Sequence, residues 1–144
     1  MSAVLLFLHI TSAFLLSSFL SVPFIIPSLH NRKGEALKAS LHTLISLTRT
    51  GHIALMGVLL TGAWMVIAYS AFPSPLWVAI ALFLLVCVGG LIGMLLKEFK
   101  EIVRIERPEN QLRERMNYVK VYSWLLDCAI LVALFVMTAR QLFN

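Results

Sequence analysis

Leu41 to Tyr69, LHTLISLTRTGHIALMGVLLTGAWMVIAY, reads as one uninterrupted apolar helix that carries two histidines and an arginine. Successive side chains on a helix lie about 100° apart, so Arg49 and His52 project about 60° from each other and His42 about 20° from Arg49. The three share a face that Met56 continues one turn on. Beyond Met56 the segment is plain apolar span, ending in Thr61, Gly62 and Trp64. Ionisable groups inside such a span are costly unless they meet a partner, so the face calls for an explanation.

The rest of the chain has the same character. Of 144 residues 60% are hydrophobic and only 13% charged, and the mean hydropathy is +0.89. A soluble domain does not have this composition. Spans are expected at about 3–27, 41–71, 76–97 and 118–140, each near or above the roughly 20 residues that cross the hydrocarbon as a helix. No period-2 alternation supports a barrel, so helices must satisfy the backbone. The N-terminal run has no basic stretch ahead of it and is long for a signal peptide, so it reads as a true span. The expected fold is all-α: one polytopic membrane domain, residues 1–144, built as a four-transmembrane-helix bundle.

The net charge of +5 is placed unevenly. Seven of the twelve Lys/Arg (Lys97, Lys100, Arg104, Arg107, Arg113, Arg115, Lys120) lie between spans three and four or at their facing ends, and Arg32, Lys33 and Lys38 lie between spans one and two. The AFPSP loop between spans two and three has none. The positive-inside rule puts both basic loops in the cytoplasm and both termini outside. Attraction to anionic lipid accounts for the charge, and nothing in it points to nucleic acid. Cys87 and Cys128 lie in predicted spans without CxxC spacing and read as small buried residues.

Along the chain, span one holds His9 and then Thr11, Ser12, Ser17, Ser18 and Ser21, small hydroxyls suited to close helix approach. Pro23 and Pro27 are expected to bend or end it, with His30 to Gly34 forming the turn. Glu35 to Leu47 is amphipathic and reads as a prolongation of helix two. Span three carries Gly89, Gly90 and Gly93, expected where backbones press close. The charged connection after it should prolong helix three to Ile105 or Glu106, break at Pro108, and start helix four near Gln111.

Span four places Asp127 in mid-membrane, with His9, Arg49 and His52 as the candidate partners. Its expected depth lies between the two histidine levels. Two geometries are open for the first hairpin: His9 level with Trp64 and far from His52, or a fold symmetric about Asn31 that brings His9 to His52. Neutral imidazole is the commonest axial ligand of haem, and Met can be the second. His9 and His52 are therefore the candidate metal ligands, with Arg49 placed for a propionate and Asp127 as a buried partner. For each histidine, His30 and His42 included, the bland alternative is a hydrogen-bonded packing or surface residue. For Arg49 it is a side chain reaching the headgroups.

FLHITSAF in span one, RTGHIALMGVLLTGAW in span two, MLLKEFKE leaving span three and VMTAR ending span four together resemble the superfamily of small four-helix membrane proteins that includes copper-resistance D-like domains and HemJ-type protoporphyrinogen oxidases. The recurrent polar positions there match His9 and Arg49 ahead of Thr61 and Gly62. The resemblance implies haem b or copper handling. HemJ-type enzymes carry a further histidine in the third span, where this chain reads VCVGGLIGM, and that departure favours haem binding or a non-enzymatic role over porphyrinogen oxidation. The expected function is haem b binding with electron transfer or haem-linked oxidoreduction, leaving open whether the protein is an enzyme. Its partners would be the bilayer, a membrane redox protein or quinone, and a second copy of the chain. The alternatives are copper handling through His9, His52 and Met56, and a structural accessory subunit of a membrane complex.

Overall fold

A computed structural model of the chain describes residues 3–68, 74–105 and 108–139, except for the side chains of 108 and 109. It is helical throughout: α1 (Ala3–Ser17), a 3-10 turn (Ser18–Ser21), α2 (Val22–Leu29), α3 (Gly34–Ala68), α4 (Pro75–Arg104) and α5 (Pro108–Thr138). With α1, the turn and α2 counted as one arm, four helices are long and apolar enough to cross a membrane. The expected span ends at 71 and 140, and part of the AFPSP loop, lie outside the described residues.

The first arm tightens before Pro23. Proline has no N–H, and its ring crowds the carbonyl four residues back. The helix narrows there to the 3-10 form, while Ser17, Ser18 and Ser21 turn their hydroxyls onto the carbonyls of Phe14, Leu15 and Ser18. Pro27 lies inside α2, so neither proline ends the helix where it stands. The turn to α3 passes through Gly34 at φ 55°, a left-handed backbone that suits glycine. α3 is continuous over 35 residues, roughly 52 Å, well beyond the hydrocarbon thickness. The prolongation of helix two is therefore a feature of the fold.

Ser74 caps α4, accepting from the Trp77 N–H at 3.3 Å, with Pro75 at its first position. α5 starts at Pro108, three residues before the expected Gln111. Proline opens the helix because the first-turn N–H it lacks would have had no partner.

Each arm packs antiparallel on the next, and α2 with the 3-10 turn reaches across to α5. The core runs through Phe19, Ile26, Leu37, Leu41, Ile92, Leu95, Phe99, Leu126 and Ile130. Large apolar side chains also cover the outside, Phe14 at 75%, Ile67 at 78% and Val86 at 73% exposed among them. A soluble bundle would bury such a surface, whereas lipid is a suitable solvent for it.

Of the three α4 glycines, only Gly89 meets a neighbour, the Leu55 side chain of α3; a Cβ on Gly90 or Gly93 would meet nothing within 4 Å. Close backbone approach thus explains one of the three.

Candidate functional site

The α1–α3 seam is a series of side chains seated on glycines. Phe19 lies against Gly51 so closely that a Cβ there would overlap its ring. Ser12 sits on Gly57, where a Cβ would come to 2.5 Å from its Oγ. His9 lies over Gly62, its Cε1 3.4 Å from where a Cβ would stand. These pairs set the antiparallel register and bring His9 to Thr61. The seam is legible only in part from sequence: Gly51, Gly57 and Gly62 are visible, but which ring meets which glycine is not.

The His9–Thr61 pair has a determinate proton arrangement. Thr61 Oγ1 lies 2.6 Å from the Gly57 carbonyl, which can only accept, so the hydroxyl donates there. His9 Nδ1 is 2.8 Å from the same oxygen, and with the hydroxyl proton already used, the ring nitrogen is the donor. The Val58 carbonyl, 3.3 Å from that hydroxyl, is a second acceptor for its proton. Neutral His9 is therefore the Nδ1–H tautomer, and Nε2 keeps its lone pair. Metal-ligating histidines show this pattern, in which one ring nitrogen is tied by a hydrogen bond and the other is left to bind.

His52 lies elsewhere. It is nine residues from Thr61, about 13 Å along the axis and half a turn away in phase, so it projects from the opposite side of α3. Its Nδ1 is 3.1 Å from the Thr48 carbonyl, which makes Nδ1 the donor here too. Of the two hairpin geometries, the structure has the one that places His9 near the level of Trp64. The two histidines do not share one site.

His42, Arg49 and Met56 form the stripe expected from the sequence, but it faces outward: all three are exposed, and only His52 is half-buried. Arg49 lies about 18 Å below the level of Thr61, too far to serve a group bound at His9. His30 is exposed in the turn after α2.

Asp127 is 6% exposed, and its buried Oδ1 has no hydrogen-bond partner. The α4–α5 register, set by Trp77 Nε1 on the Val136 carbonyl and Arg115 on Glu98, brings Val86 level with Asp127. Leu55 against Gly89 carries that level to about Val58. Asp127 thus lies between the levels of His52 and Thr61. Among the described residues it forms no ion pair with His9, Arg49 or His52.

Among the described residues no three His, Cys, Asp or Glu side chains gather as a metal cage. A cavity inside the bundle measures about 20 Å³ and is lined by apolar residues, Leu16, Val58, Val88 and Ile130 among them. Sites for drug-sized ligands measure about 300–1,000 Å³, and this cavity is far smaller. At His9 the donor chemistry fits an iron-bound group, which Nε2 would hold.

Comparison with known proteins finds no matching family model, no matching curated protein and no matching solved structure.

Proposed function

We propose that this chain is a multi-pass protein of the bacterial inner membrane, akin to the copper-resistance D-like and HemJ-like superfamily, that binds haem b through His9 and has a redox role. The observation that carries this reading is the hydrogen-bond chain from His9 Nδ1 through Thr61 to the Gly57 carbonyl, which leaves Nε2 as a ligand nitrogen inside an apolar span. Basic loops on the cytoplasmic side and both termini outside complete the reading. Bound haem would supply one-electron chemistry at its iron. Thr61 holds the ring proton and fixes the tautomer, and Gly62 gives the ring clearance. His52, on the far side of α3, is not the second ligand of the same iron. Arg49 takes the headgroup role that its outward position suits.

The test is the absorption spectrum of purified protein, oxidised and reduced, with and without added haem. Wild type and His52→Ala should both show a Soret band that His9→Ala loses. A wild type without the band after haem addition would sink the proposal.

The seam itself favours a second reading, a structural accessory subunit, in which His9 and Thr61 serve only as an interhelix clamp. In that case His9→Ala lowers stability and the wild type has no haem spectrum. Copper handling is less well supported, because His9, His52 and Met56 do not converge.

A further inference from the structure

At the end of the bundle that carries the α2–α3 turn, an open cavity of about 600 Å³ is lined by Pro27, His30, Arg113, Met116, Asn117 and Lys120. The four α5 residues follow a spacing of three, four and seven, which makes them one helical stripe. Nearby cations are engaged: Arg115 holds Glu98 and Glu101, and Arg32 donates to Ser40. Arg113 and Lys120 have no hydrogen bond or ion pair among the described residues, and no carboxylate lines the cavity. Two cations without a partner among the described residues, a histidine ring and an amide thus surround an apolar floor that includes the buried Met116.

The same two helices continue directly into an exposed aromatic pair. Phe24 and Trp124 meet edge to face at 6.0 Å, and both stay exposed to the surroundings. Trp124 is one turn beyond Lys120, and Phe24 one turn before Pro27. A basic cavity bordered on its apolar side by aromatics has the order of a membrane interface, with phosphate level first and acyl level next.

We propose that this cavity binds the phosphate of an anionic phospholipid, held by Arg113 and Lys120, with its acyl chains lying over Phe24 and Trp124. The aromatic continuation favours a lipid over free phosphate, which would have no use for it. The site stands independently of any haem at His9.

The test is native mass spectrometry of the full-length protein in detergent with equimolar phosphatidylglycerol and phosphatidylcholine. Wild type should retain one phosphatidylglycerol with roughly thirtyfold preference, as expected for two cations near the surface. Arg113→Gln with Lys120→Gln should abolish that preference. Lys33→Gln with Lys100→Gln removes as much charge from the same end and should leave it intact. Excess glycerol phosphate should not displace the lipid. The proposal is overturned by equal retention of both lipids in wild type, by equal loss in the two double variants, or by displacement with the soluble phosphate.

Discussion

Thr61 directs its hydroxyl proton to the Gly57 carbonyl and so compels His9 to donate from Nδ1. Thr61→Val keeps the side-chain shape but leaves that ring proton short of its closest acceptor. Interhelical hydrogen bonds in membranes average about 0.6 kcal/mol, while an unsatisfied buried donor costs about 1–3 kcal/mol. Because His9 is only half-buried, a loss near 1 kcal/mol is expected in detergent unfolding, together with weaker haem retention if haem is bound. An unchanged stability would mean that the bond carries no load. Asp127 gives the opposite expectation. With one carboxyl oxygen buried and unpartnered, Asp127→Leu should stabilise the isolated protein by about 1–3 kcal/mol. A drop in stability on the same assay would reveal a partner for Asp127.

At the scale of the element, the same residue type serves two ends. Gly51 is where the Phe19 ring seats, so Gly51→Leu overpacks the α1–α3 seam and should cost about 1–3 kcal/mol. Adding Phe19→Ala should recover part of that loss, a coupling that a double-mutant cycle measures. Gly90 opposes nothing, so Gly90→Ala should be neutral or raise stability by up to about 1 kcal/mol, through helix propensity. If both glycine variants proved equally harmful, the seam would not be the reason Gly51 is small. A disturbance of the first arm was visible in Pro23 and Pro27, but its place was not: the 3-10 narrowing falls ahead of Pro23, where the carbonyl crowded by the ring lies.

Across the whole molecule, the α4–α5 pair is tied at both ends. Trp77 bonds the Val136 carbonyl at one end, and Arg115 spans Glu98 and Glu101 at 2.8 and 2.7 Å at the other. The Arg115 cluster lies outside the expected spans and is partly exposed, with Glu98 its most enclosed member, so its contribution is partly screened. Arg115→Gln should lower the melting temperature modestly at low salt, and the difference from wild type should shrink at about 1 M salt, where the Debye length is about 3 Å. A difference that persisted unchanged would place the effect in packing.

Four apolar helices, their basic connections and the long continuous α3 followed from the sequence by itself, because apolar runs of this length and charge-bearing loops are properties of local composition. The partners of the polar residues did not. Arg49, His52 and His42 share a stripe on any α-helix, but whether it faces the core depends on the rotation of α3 against its neighbours, and the structure turns it outward. His9 could have met His52 or lain near Trp64, and hydropathy alone is nearly indifferent to a slide of the hairpin. Tertiary packing decided it: Phe19, Ser12 and His9 seat on Gly51, Gly57 and Gly62 in only one register, and that register gives His9 to Thr61.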